Sequence, residues 1–233
     1  MPPALRGICA LVDTRPNTSH TMNTRPSIVV VAIVLVSSFV LAQVSFAAPS
    51  VSLGTANSFA ILAASTVTST GSSTVTGDLG LSPGTSVTGF PPATLTGTLH
   101  VANAAALQAK NDFSTAYTTL SGEASTAVIS SELGGTTKTP GVYDSASGNF
   151  AITGTLTLDA QGDPNAVFVF RTSSTLITAG ASNVVLANGT QACNVFWLVG
   201  SSATLGASSQ LKGSVLASVS VTLTTGASLE GRA

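Results

Sequence analysis

Charge is what this chain lacks most. Of its 233 residues only 7% are Asp, Glu, Lys or Arg, against about 25% in an ordinary soluble domain. Aromatic residues are scarce as well, at 5%. No basic patch exists to meet nucleic acid or an anionic membrane. Histidine occurs only at positions 20 and 100 and cysteine only at 9 and 193, so the His/Cys cluster that a metal site would use is absent. Long apolar runs are missing too, with one exception.

The exception is Ile28 to Leu41, broken only by Ser37 and Ser38. Arg25 precedes it, and Ser45-Phe46-Ala47 with Ala48 follows. A basic flank, a short apolar stretch and a small-x-small site describe a secretory signal peptide. The run is shorter than the ~20 residues a membrane span needs. Met22-Asn23-Thr24-Arg25 reads as a normal signal-peptide start, which makes residues 1–21 an upstream start artefact or an extended basic region. The expected organisation is a signal peptide over 1–47 and a single domain over 48–233, secreted and not stably inserted in a membrane. After cleavage the domain carries five basic and eight acidic residues, a net charge of −3. Cys193 then stands alone, so stability has to come from the core and the backbone ladder rather than a disulfide.

What the chain does have is Gly, Ser, Thr and Ala in a repeating dress. Ser174-Thr175-Leu176-Ile177-Thr178 leads to Ala181-Ser182, Ala203-Thr204-Leu205-Gly206 to Ala207-Ser208, and Val221-Thr222-Leu223-Thr224-Thr225-Gly226 to Ala227-Ser228. Ser65–Thr70 is an earlier echo. A strand alternates its side chains between faces, so the apolar residue points in and Thr points out.

Each Thr strand follows an apolar strand and precedes a mixed one. Val167–Phe170 leads to 174–178 and then Asn183–Leu186; Val195–Val199 leads to 203–206 and then Lys212–Leu216; Phe59–Leu62 leads to 65–70 and then Thr74–Thr76. Three strands per turn with corners of varying length describe a triangular β-solenoid. The apolar strands are apolar at both parities, so both their sides are buried. One side faces the solenoid core and the other needs a cover. The cover is the one long helix, over 102–120, where Ala102, Ala106, Ala109, Phe113, Ala116 and Leu120 recur at spacings of three and four. Phe113 and Leu120 are expected beneath it.

On the runs Gly80–Thr85, Pro140–Tyr143, Leu156–Phe168, Gln191–Trp197 and Val199–Gly206, the chain resembles the microbial ice-binding (antifreeze) protein family. The resemblance covers essentially residues 51–233. It implies a mostly β fold, a right-handed triangular β-helix with one long α-helix along one face, secreted and adsorbing to ice. Its implied partner is the ice crystal surface, with no cofactor, and its implied effects are slower ice growth and inhibited recrystallisation. There are two departures. Ile177 stands where Thr is common. Past Gly231-Arg232-Ala233 the family usually continues with another apolar strand, so the last coil is expected to show an open edge.

The resemblance puts the ice-binding face beside the helix-covered one, and outward parity then selects its residues: Thr66, Thr68, Thr70, Ala151, Thr153, Thr175, Ile177, Thr204, Gly206, Thr222 and Thr224. Threonines on successive coils, about 4.7–4.9 Å apart and restricted at χ1, make a stiff grid. Thr is also simply a good exposed strand residue.

Catalysis is the rival class, because many secreted β-helices act on polysaccharides; a non-catalytic adhesin or polysaccharide-binding module is the other. Asp159 and Asp163 are the nearest carboxylate pair, but Gly162, Pro164 and Asn165 make that segment a corner turn. A calcium site there is the minor alternative. His100, just before the helix, suits a surface or capping role; Cys193 reads as a small buried thiol and Trp197 as core. The expectation is no enzyme and no metal. Asn188-Gly189-Thr190 is a glycosylation sequon.

Overall fold

The computed structural model describes residues 51–233, and the expected signal peptide lies outside the described residues. The strands pair in parallel and wind a β-solenoid with three faces. The helix-covered face runs through strands Ala127–Ile129, Gly141–Ser145, Phe168–Thr172, Val195–Val199 and the second half of Gln210–Ala217. The hydroxyl face runs through Phe150–Ile152, Leu176–Thr178, Ser202–Leu205 and Ser220–Leu223. The third face holds Thr155–Asp159, Asn183–Ala187, the first half of Gln210–Ala217 and Ser228–Arg232.

Sequence order is not stacking order. The coils of residues 59–101 stack beyond the last coil, not before Ala127–Ile129. Leu62 N–H donates to the Ala233 carbonyl at 2.8 Å, and Ala233 N–H to the Ala60 carbonyl at 3.0 Å. A helix, α1, spans Ala104–Gly122 and carries the chain back along the stack. Its 19 residues rise about 28 Å, roughly six ladder spacings. The helix starts two residues later than the Ala periodicity suggests, because the Asn103 side chain accepts from Ala106 N–H and caps it there.

The irregular period has a physical cause. Lys212–Leu216 is not one mixed strand, as the sequence suggests. Strand 210–217 turns at Gly213 (φ 111°), leaving the third face and entering the helix-covered one. A Cβ at Gly213 would meet the Val195 carbonyl at 2.7 Å, so only glycine allows the turn. Third strand and next apolar strand are thereby fused, and the last coil is shorter.

Both-sided burial of the apolar strands holds. Inward, Tyr143, Phe170 and Trp197 occupy one register position on three successive rungs. Their rings stack at 5.4 and 4.4 Å between centroids, each such pair contributing about 0.5–1.5 kcal/mol beyond area burial. Trp197 Nε1 donates to the Lys212 carbonyl at 2.9 Å, so its one polar atom is satisfied. Outward, Val142, Val169, Phe196 and Leu198 pack with Ala109, Ala116 and Leu120 of α1. Leu120 is fully buried as expected, but Phe113 is only half-buried, beside Phe59, Leu62 and Leu216.

Candidate functional site

The candidate site is the hydroxyl face. Inward parity places Leu176, Ala203 and Leu205 in the core with no exposure. Their neighbours therefore point out. Ala151, Ile177, Thr204 and Thr222 are partners in direct register on four adjacent strands and form a single column. Beside it Thr175, just ahead of strand 176–178, starts a second column, continued by Ser202 and Ser220, which pair with each other. The Ser220 hydroxyl donates to Ser202 Oγ at 3.0 Å. The columns lie about 6.6 Å apart along the strands and the rows about 4.8 Å apart across them. No ionisable side chain stands within these two columns. Ile177 is the most apolar of them, 49% exposed.

The other candidate residues fall in two places. Thr153, Gly206 and Thr224 lie at the corner where the face ends. Thr153 is engaged there by Glu132: its N–H donates to Oε1 at 2.8 Å and its hydroxyl to Oε2 at 2.9 Å. Glu132 also accepts from Gly134 N–H at 2.6 Å. Partial burial raises the Glu132 carboxyl, and these donors together outweigh it, leaving the group below its usual value. Gly206 is a corner glycine, since a Cβ would come within 2.4 Å of the Thr178 carbonyl. The Thr224 hydroxyl donates to the Leu205 carbonyl at 2.7 Å.

Thr66 and Thr68 belong to a separate two-stranded ladder, Thr66–Thr68 with Ser86–Thr88, with Thr70 beyond its end. The Thr88 hydroxyl donates to Thr68 Oγ1 at 3.2 Å. Ser86, Thr88, Ser202 and Ser220 were missing from the sequence reading. Each sits on a Ser-x-Thr run of the same parity, so counting Ser with Thr would have found them.

Residues 61–233 match the family described as ice-binding-like. An ice-binding protein of Nostoc sp. (strain HG1) is 50% identical over 208 residues, covering 88% of this chain and 76% of that one. The solved ice-binding protein of the Antarctic ascomycete Antarctomyces psychrotrophicus superposes with a TM-score of 0.76 at 40% identity, covering 78% of this chain and 90% of the other. An ice-binding protein from an Antarctic biological consortium gives the same TM-score at 46% identity, covering 80% and 85%.

The chain belongs to the ice-binding-like family. The residues that a catalytic or metal site would have used are occupied in this family member by corner work. Asp159 Oδ1 accepts from Gln161 N–H and Asn188 Nδ2, both at 2.8 Å. Those donors, the Asn188 amide first, hold its carboxyl below the usual range. Asp163 Oδ1 accepts from Asn165 N–H at 2.9 Å. Among the described residues no group of three or more His, Cys, Asp or Glu could hold a metal ion. In the sequon, Thr190 donates to the Leu158 carbonyl at 2.8 Å, so both its polar side chains stitch the corner. His100 Nδ1 lies 3.2 Å from the Asn103 amide, and Nε2 lies 3.9 Å from Asp78, next to the helix cap as expected. Cys193 lies in a short 3-10 turn at the entry to strand Val195–Val199 and is half-buried rather than fully buried. Its only possible intrachain partner, Cys9, lies outside the described residues.

Proposed function

We propose that this is a secreted ice-binding protein that adsorbs to ice through the hydroxyl face, slows crystal growth and inhibits recrystallisation. The observation that carries the reading is the column Ala151–Ile177–Thr204–Thr222, held in strict register by four parallel strands. Small side chains at ladder spacing order first-shell water into a layer that the crystal can incorporate: the methyl groups restrict it and the hydroxyls anchor it. Each contact is weak, but a crystal engages the whole face at once. The names of the family relatives support the ligand, and the leader-like segment before Ala48 supports export. The two columns carry hydroxyl and methyl groups and no ionisable side chain, which suits adsorption rather than catalysis.

The test is ice-affinity purification of the secreted protein together with a recrystallisation assay. Partition into slowly grown polycrystalline ice and small grains after annealing are the expected outcome. Exclusion from ice, with grains as coarse as in buffer, would sink the reading in favour of a polysaccharide-binding module.

A further inference from the structure

The corner that follows strand Asn183–Ala187 holds a chemically labile pair. Asn188-Gly189 is the only Asn-Gly step in the chain. It fills the two central positions of a tight turn, in which Thr190 N–H donates to the Ala187 carbonyl at 3.1 Å. Asn188 has φ 48° and Gly189 φ 91°, and positive φ at both positions is the hairpin-type turn that Asn-Gly favours. Both residues are exposed.

Asparagine amides are thermolabile, and the following residue decides how labile. The nitrogen of that residue attacks the side-chain carbonyl carbon, so a bare glycine is the least hindered neighbour. Here nothing crowds it: a Cβ built on Gly189 would meet no atom closer than 3.9 Å. The Gly189 N–H donates to no group among the described residues. The other asparagines of strands and strand entries precede bulky or β-branched residues, as in Asn149-Phe150, Asn183-Val184 and Asn194-Val195.

We propose that Asn188 is the deamidation site of the folded protein and that Asp159 restrains it. Hydroxide takes the Gly189 amide proton, and the freed nitrogen attacks Asn188 Cγ. The bond from Cγ to Nδ2 breaks, and ammonia leaves with a proton from water. Water then opens the cyclic imide at either carbonyl, leaving aspartate or isoaspartate. The sum is amide plus water giving carboxylate and ammonium. The ring closes only when Cγ swings over the Gly189 nitrogen. Asp159 opposes that swing, because its Oδ1 accepts from Asn188 Nδ2 at 2.8 Å. Gly162 N–H opposes rotation of the main chain by donating to the Asn188 carbonyl at 3.0 Å. Either product sets a carboxylate against Asp159 in place of a donor, so attraction becomes like-charge repulsion. Isoaspartate also adds a main-chain carbon to the turn and misplaces the amides of Gly162 and Thr190. The corner belongs to the third face, so the hydroxyl face is left as it was.

The experiment ages the intact protein in mildly alkaline buffer below its melting temperature and follows each asparagine by peptide mass mapping. Conversion is expected first at Asn188, and several-fold faster in Asp159→Ala. Asp159→Asn, which keeps an acceptor oxygen, should return the rate towards that of the wild type. Asp163→Ala loosens the same corner without touching Asn188 and should leave the rate unchanged. Asn188→Asp, the product itself, should melt about 2–4 °C lower. Earlier conversion at another asparagine would overturn the proposal, as would equal rates in Asp159→Ala and wild type or equal acceleration by Asp159→Ala and Asp163→Ala. No readout involves ice, so the outcome is independent of the proposed function.

Discussion

Arg171 holds Asp144 and the end of helix α1 in one grip. Its guanidinium forks onto the Asp144 carboxylate, Nε to Oδ1 at 2.7 Å and Nη2 to Oδ2 at 2.9 Å. Its remaining nitrogen donates to the Ser121 and Glu123 carbonyls at 2.9 and 2.7 Å. A cation at a helix carboxyl end complements the dipole and the orphan carbonyls. The helix that makes the solenoid two-layered is thus tied to strand Phe168–Thr172 at its end. At mid-length Asp112 ties it again, accepting from Thr55 N–H at 2.7 Å and from the Thr55 hydroxyl at 2.6 Å.

The grip predicts a pH signature. The Arg171 hydrogen bonds, ahead of the opposing effect of burial, hold the Asp144 carboxyl below its usual value. A depressed folded pKa means that the stabilisation is complete above the unfolded pKa of ~3.9 and fades as pH falls through the folded value. Asp144→Asn should therefore cost roughly 1 kcal/mol at pH 7, since the pair is partly exposed and screened. That corresponds to about 2–4 °C in Tm. The gap between wild type and variant should close as pH falls below about 4, through the depressed folded value. Thermal melts of both proteins across that range decide it, and a gap that stays constant with pH would contradict the assignment.

The aromatic stack predicts a spectroscopic one. Trp197 is the single tryptophan of the chain and is 1% exposed, stacked on Phe170. Its emission should be blue-shifted and inaccessible to iodide in the folded state, and should shift red in one step on melting. Trp197→Ala should cost about 3–5 kcal/mol, measured by denaturant titration followed by circular dichroism.

How much of this was legible beforehand depends on range. Strand parity is local, so Leu176, Ala203 and Leu205 pointing in and Ile177, Thr204 and Thr222 pointing out followed from alternation alone. The burial of Val169 and Phe196 under a helix followed from their strands being apolar on both sides. The stacking of residues 59–101 beyond Ala233 did not, because two main-chain bonds at Ala60 and Leu62 leave no trace in composition. Nor did the turn at Gly213, where one glycine among many redirects a strand. Thr153 shows the same limit within the site: its parity was right, but Glu132, 21 residues earlier, claims its hydroxyl.

Removal of metal should change nothing. Asp159 Oδ1 accepts from the Gln161 main-chain and Asn188 side-chain amides, and Asp163 Oδ1 from the Asn165 main-chain amide, as corner-turn residues do. Excess chelator should leave both Tm and recrystallisation inhibition unaltered. Losing either in chelator and regaining it with calcium would restore the corner as a cation site.

The binding face is tested most sharply at its centre. Thr204 sits between Ile177 and Thr222 in the column, with outward Ser202 on the same strand. A tyrosine there would stand several ångströms proud of a surface otherwise built of methyl and hydroxyl groups. A flat crystal would then be held off the neighbouring positions as well, so the loss should far exceed one side chain's share. Thr204→Tyr is expected to lower recrystallisation inhibition by about tenfold or more. Its stability should change by only about 0.5 kcal/mol, as for most outward substitutions. The control is Lys212→Tyr on the third face. It gives up the surface ion pair with Glu230, which costs about 0–1 kcal/mol, and should leave ice activity intact. Melting and recrystallisation measured on both variants separate the faces. Full activity in folded Thr204→Tyr with loss in Lys212→Tyr would move the site to the third face, where Thr155, Thr157 and Val185 point outward.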